Sequence, residues 1–252
     1  MLVESSASSR LKNPEFAPSD FLWYFLFMNK EIKTPDEANF VYADNIDYSS
    51  TADESVWGSE EPETHELLVA EVNGGQWLDV CAGDGRFSRL LLEKSDHLTV
   101  CDIDPGALEK LKRVTPPELK EKLSIVVCNV VKPLPFNNAS FEGLFSSGTF
   151  HLFPAEVFQY LAAELERIVK PGGKIIFDFA INIRREKPDG TLYVVSNEPL
   201  WNETQARELL ASSFPGSELS LKTFVVEPEI VRFNDTEYVF KAEAILVQAV
   251  KK

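Results

Sequence analysis

Gln76-Trp77-Leu78-Asp79-Val80-Cys81-Ala82-Gly83-Asp84-Gly85-Arg86-Phe87-Ser88-Arg89-Leu90-Leu91-Leu92 decides the fold. It opens as a short apolar run, tightens through Gly83 and Gly85, and then turns helix-periodic, with Phe87, Leu90 and Leu91 on one side. Strand, glycine turn and helix in that order make a nucleotide site. Glycines let backbone approach a ligand closely, and the free N–H groups of a new helix favour negative charge. Asp102 follows Gly83 by 19 residues, at the end of the next apolar run, Leu98-Thr99-Val100-Cys101. A carboxylate there stands about where this architecture holds a pair of ribose hydroxyls.

Working outward, strands and helices alternate, which is the pattern of a parallel sheet covered on both faces. A helix over Glu63 to Val72 precedes the organising strand, and Asn73-Gly74-Gly75 ends it. Strand 97–103 leads through Pro105 into a helix from Gly106 to Val114. Leu123 to Cys128 is a third strand and Phe141 to Ser146 a fourth. Pro154 opens a helix with Val157, Phe158, Leu161, Leu165 and Ile168 at helical spacing, and Lys174 to Phe179 is the fifth strand. Residues 181–201 read as a substrate-side insertion or hairpin, with Asp189-Gly190 as its turn. A helix over Thr204 to Phe214 and two β-rich runs, 218–226 and 237–249, complete the chain. No full helix separates the last two, so they pair antiparallel.

The dinucleotide fingerprint requires glycine where this chain has Ser88. Asp79-x-Cys81-x-Gly83-x-Gly85 instead resembles the first motif of class I S-adenosylmethionine-dependent methyltransferases, with Cys81 in place of the first glycine. Four more stretches resemble that family in order: Val100 to Pro105, Cys128 to Phe136, Phe141 to Phe153 at the fourth strand and its following loop, and Val169 to Lys174 at the turn into the fifth strand. The resemblance spans about residues 65–180 and lies nearest the small-molecule branch, whose members include ubiquinone and menaquinone methyltransferases. It implies a Rossmann-like, doubly wound, seven-stranded α/β sheet, mostly parallel, with an antiparallel C-terminal strand pair and helices on both faces. It also implies S-adenosyl-L-methionine as cofactor, held by Asp79, Cys81, Ala82, Gly83, Gly85, Asp102, Ile103, Asn129, Val130 and Ser146. Asp79 would meet the methionine amino group, Asp102 the ribose and Asn129 the adenine amino group, with the Ser146 backbone alongside.

Methyl transfer from a sulfonium is an in-line displacement, so alignment and water exclusion carry most of the catalysis. A hydroxyl or acidic carbon acceptor needs a base as well. His151, in the loop after the fourth strand, is the first candidate and Asp178, near the end of the fifth, the second. Arg184 and Arg185 read either as a clamp for a substrate anion or as a surface turn.

Charge and composition bound the partners. A formal charge of −15 over 252 residues disfavours a nucleic-acid partner, whose phosphates call for Lys and Arg. Lys110, Lys112, Arg113, Lys120 and Lys122 alternate with Glu109, Glu118 and Glu121, as on a solvated helix face. The aromatic cluster Phe21 to Met28 is far shorter than the roughly 20 residues of a membrane span, and no basic segment precedes it, so the expectation is a cytoplasmic protein. Cys81, Cys101 and Cys128 fall near three strand ends without a C-x-x-C pair or histidine partner, so no metal site is expected and they read as small buried residues. Residues 1–60 are expected to form a tail and an aromatic helical cap over the cofactor, with the transferase domain at 61–252. A small-molecule acceptor methylated on O, N or C is the leading reading. RNA or protein methylation, a non-catalytic cofactor-binding module and a nicotinamide oxidoreductase are the alternatives.

Overall fold

The computed structural model describes residues 46–195, 198–233 and 236–252, with the Phe233 side chain left aside. The expected tail and the aromatic residues Phe21 to Met28, Phe40 and Tyr42 lie outside the described residues. Seven strands form one sheet in the order β3-β2-β1-β4-β5-β7-β6. They are β1 (Gln76–Val80), β2 (His97–Asp102), β3 (Leu123–Val127), β4 (Phe141–Ser147), β5 (Val169–Glu186), β6 (Ser217–Phe233) and β7 (Thr236–Lys251). β1 to β5 are mutually parallel, and β7 runs against both β5 and β6. The expected antiparallel closure on the last two strands is therefore present.

The helices α1 (Pro62–Glu71), α2 (Ser88–Lys94), α3 (Pro105–Val114), α4 (Ala155–Ile168) and α5 (Glu203–Ser213) cover the two faces. On one face Leu68 of α1, Leu91 of α2 and Leu111 of α3 pack with Trp77, Val100, Phe145 and Ile176 of the sheet. On the other, Phe158 of α4 meets Phe177 and Phe179 of β5 at 6.3 and 5.8 Å between ring centroids, and Phe177 meets Phe214 at 5.7 Å. Strand alternation puts Phe177 and Phe179 on one side and Ile176 and Asp178 on the other. Local chemistry sets the helix starts. Asp104 accepts from the Gly106 and Ala107 N–H groups just ahead of Pro105, and Asn202 and Gln205 form a capping box on α5.

Two expectations need correction. β5 runs past Phe179 to Glu186, through a register shift against β7 between Ile181 and Arg184 where Asn182 takes φ +52°. The assigned insertion therefore begins as strand, and only its later part is an excursion, rejoined by a Glu186–Leu192 bridge. Lys110 does not lie on a solvated face: it is fully buried and pairs with Asp84.

Candidate cofactor and acceptor site

β1 sits between β2 and β4, and the chain changes direction of travel across the sheet at β1, the place where open α/β sheets bind ligands. A cleft of about 280 Å³ opens there, at the carboxyl ends of β1, β2 and β4. Of the residues expected to hold a cofactor, Asp79, Cys81, Ala82, Gly83, Asp102, Ile103 and Val130 line it. Gly85, Asn129 and Ser146 do not.

The glycine turn explains part of that division. Gly83 has φ +54°, its N–H donates to Asp102 Oδ2 at 2.8 Å, and it faces the cleft. Gly85 has φ +92°, and a Cβ there would meet Leu111 Cγ at 2.8 Å. Gly85 therefore lets the turn lie against α3, whereas Gly83 lets the Trp57 ring approach its backbone at the cleft. Cys81, in place of the family's first glycine, takes φ +57°, a left-handed conformation that costs an L-residue about 1 kcal/mol. The turn thus draws on all three positions.

Three carboxylates line the cleft, Asp79, Asp102 and Asp104, and Asp104 is taken up by capping α3. Asp79 is buried, accepts from Ser88 Oγ at 2.7 Å, and burial pushes it up to about 7. Asp102 accepts from the Gly83 and Asp104 N–H groups at 2.8 and 2.9 Å; burial raises its pKa, and those hydrogen bonds oppose the rise. Each Asp102 oxygen keeps accepting capacity beyond these bonds. Asn129 turns its side-chain carbonyl to the Val131 N–H at 3.1 Å, capping its own loop. Ser146 is buried with a hydroxyl that has no partner, and its neighbour Ser147 reaches the cleft instead.

Residues 46–59 form a strap beside this cleft, and its Tyr48 and Trp57 are part of the lining. A Cβ on Gly83 would lie 3.0 Å from Trp57 Nε1. Burial, helped by Asp84, Asp104 and Asp102, pushes the Tyr48 phenol pKa up, so it stays a hydrogen-bond donor. Arg86 donates to the Trp57 carbonyl at 3.1 Å and to Ser147 Oγ at 2.6 Å.

The acceptor-side candidates have well-defined surroundings. Asp178 Oδ1 takes Ser147 Oγ at 2.8 Å and the Gly148 N–H at 3.0 Å, while Oδ2 takes Thr64 Oγ1 at 2.8 Å. It ties the loop after β4 to α1 and does not line the cleft. His151 sits in a 3-10 turn, Phe150–Leu152, with Nε2 4.0 Å from Glu198 Oε1 and a buried Nδ1 without a partner. Burial pulls its pKa down to about 4, so the ring is neutral at pH 7. Arg185 is neither clamp nor surface turn: it grips Glu198 through two bonds of 2.5 and 2.8 Å, under the Phe240 ring. Arg184 is the exposed member of the pair.

Sequence reasoning missed Trp57, Arg86 and Glu198. Arg86 alone carried a signal, a cation inside the glycine turn. The chemistry of the set suits S-adenosylmethionine. Asp79 would take its ammonium group, Asp102 its ribose diol, Ile103 and Val130 the flanks of its purine, and Gly83 gives close backbone approach.

Residues 78–177 match a family model described as a methyltransferase domain. No curated protein sequence matches the chain. Among solved structures, a Pyrococcus horikoshii protein is 20% identical over 81% of this chain and 98% of its own, with a TM-score of 0.55. A SAM-dependent methyltransferase from Methanosarcina mazei is 15% identical, covering 77% and 99%, with a TM-score of 0.54. The DhpI–SAH complex is 14% identical, covering 74% and 80%, at 0.50. Residues 78–177 are thus similar to a methyltransferase domain, and the solved structures share the fold that carries it.

Proposed function

We propose that this chain methylates a small-molecule acceptor on O, N or C, with its cofactor in the cleft at β1, β2 and β4. The observation that carries this reading is the pairing of buried Asp79 with Asp102 across Gly83, beneath the aromatic strap. Carboxylates and apolar groups that line the same cleft match a ligand with a cationic end, a diol and a flat purine. The strap narrows the opening, which favours a small acceptor over a folded macromolecule. The chain's charge of −15 points away from nucleic acid.

Bound there, the cofactor supplies an electrophilic methyl on a sulfonium. Asp79 would hold its amino-acid end and Asp102 its central ribose, while Tyr48 and Trp57, which line the cleft, would help keep water from it. Such alignment contributes up to about 7–11 kcal/mol in favourable cases. For an acceptor that must lose a proton, His151 is the imidazole in the loop after β4. It stands beside Leu152 behind the cleft lining and its pKa of about 4 makes it a weak base, so we assign the proton's removal to no residue of this chain. Asp178 acts as a positioning residue, holding Ser147 and Gly148 at the cleft edge through its bonds to both.

The test is a titration with S-adenosylhomocysteine, followed by transfer of labelled methyl from the cofactor into metabolite, protein and RNA fractions. Saturable binding with label in the metabolite fraction is expected. Label in RNA or protein instead would overturn the small-molecule assignment, and NADH binding without S-adenosylhomocysteine binding would overturn the cofactor site.

A further inference from the structure

The least ordinary polar contact among the described residues lies behind the glycine turn. Lys110 and Asp84 have fully buried side chains, and Lys110 Nζ is 2.9 Å from Asp84 Oδ2. Lysine is almost never wholly buried without a partner, and a buried pair loses much of its Coulombic gain to desolvation. Stability alone is therefore a weak reason for this pair, and its remaining partners indicate another. Asp84 Oδ1 accepts from Ser55 Oγ at 2.6 Å, Asp84 Oδ2 from the Val56 N–H at 2.9 Å, and Lys110 Nζ donates to the Glu54 carbonyl at 2.7 Å. Every one of these contacts goes to the strap.

The strap residues held in this way lie between Tyr48 and Trp57. Tyr48 Cδ2 is 3.6 Å from where a Cβ on Gly106 would stand, at the start of α3, and Trp57 stands over Gly83. The outer contacts are single hydrogen bonds from half-buried or exposed groups, Arg113 to the Tyr48 carbonyl at 3.3 Å and Arg86 to the Trp57 carbonyl at 3.1 Å. The centre, by contrast, is gripped by a charged pair away from water, where each hydrogen bond is stronger. Asp84 immediately follows Gly83, so strap and cofactor cradle are fastened to the same turn.

We infer that Asp84 and Lys110 are positioning residues that latch the 48–57 strap across the cleft and set the rate at which cofactor and its thioether product exchange. The inference rests on the cofactor cleft proposed above. A ligand under Tyr48 and Trp57 leaves only when the strap lifts, and lifting it breaks the Ser55, Val56 and Glu54 bonds together. The latch acts on exchange and leaves the alignment of the bound cofactor to Asp79 and Asp102.

The test measures S-adenosylhomocysteine dissociation by stopped-flow tryptophan emission, with amide hydrogen exchange over residues 48–57. Asp84→Asn/Lys110→Met removes both charges together, so neither is left buried alone; Ser55→Ala removes one strap bond and leaves the ion pair intact. The double variant is expected to release ligand at least tenfold faster and to exchange strap amides faster, and Ser55→Ala to release it about threefold faster. The cofactor KM should rise. If the double variant does not fold, Ser55→Ala carries the test. Wild-type binding with unchanged dissociation and strap exchange in the folded variants would overturn the latch alone. No S-adenosylhomocysteine binding by the wild-type chain would overturn the cleft reading and the latch with it.

Discussion

The two halves of the sheet solve different problems. In the parallel half, β1 to β4 are 5 to 7 residues long and end in tight turns, so their polar groups converge on one rim. In the antiparallel half, β5, β7 and β6 are 18, 16 and 17 residues long and run on beyond that rim. Their polar groups pair with one another, as Lys241 does with Glu186, or with the loop that follows β5, as Arg185 does with Glu198. The parallel half keeps Asp79, Asp102 and Gly83 available to a ligand, whereas the antiparallel half builds a wall. Substitutions in the first should therefore move binding more than stability, and in the second stability more than binding.

The largest expected effect tests the wall. Glu198→Gln leaves Arg185 buried without a counter-charge, which should lower stability by about 3–5 kcal/mol in denaturant titration. Its affinity for S-adenosylhomocysteine should stay within about twofold of the wild type at temperatures where it is folded, and a larger loss would erase the contrast between the halves. Asp102→Ala reverses the pattern. It should weaken S-adenosylhomocysteine by about 100-fold, or roughly 2.7 kcal/mol, with a smaller loss of ligand-free stability, about 1–2 kcal/mol, from the two freed N–H groups. Calorimetric titration at unchanged affinity would remove Asp102 from the site.

Asp79 sharpens the comparison through pH. Its folded pKa of about 7 lies above the reference value of 3.8, so the folded state holds a proton that the unfolded chain has released. Its contribution to ligand-free stability is therefore present at low pH and is lost as pH rises towards and through 7. Binding of a ligand ammonium runs the other way, because it needs the carboxylate. S-adenosylhomocysteine affinity should rise about tenfold per pH unit below 7 and level off above it. Asp79→Asn should flatten that profile. The smallest effect belongs to Cys81→Gly, which relieves the left-handed strain and should stabilise the chain by up to about 1 kcal/mol, less the entropy that glycine adds to the unfolded state. Destabilisation would mean that the thiol packs better than the backbone suffers.

The parallel half was legible in sequence because periodicity and punctuation agreed there. Leu78 and Val80 alternate with Asp79, and Pro105 and Pro154 stand just at or before the helix starts they signal. Seven of the ten residues expected at the cofactor line the cleft, since motif spacing fixes which backbone reaches the rim. What sequence does not carry is where a side chain turns once it arrives. Asn129 caps its own loop, and Lys110 lies on an otherwise charged helix yet points inward to Asp84. The length of β5 was hidden for a related reason. Asn182, Arg184 and Arg185 carry turn-like chemistry, but pairing with β7 overrides that local preference, and Asn182 absorbs the irregularity in a left-handed conformation.

Among the described residues β6 stands at the margin of the sheet, paired by β7 on one side. An edge of that length is a template for aggregation, open to any extended chain. Its outer stretch is blunted. The register shifts between Val226 and Glu229, Pro228 brings no N–H, and Glu227 and Glu229 are exposed beside it. Solubility of this chain at high concentration therefore depends in part on one proline and two acidic neighbours, far from any residue that touches a ligand.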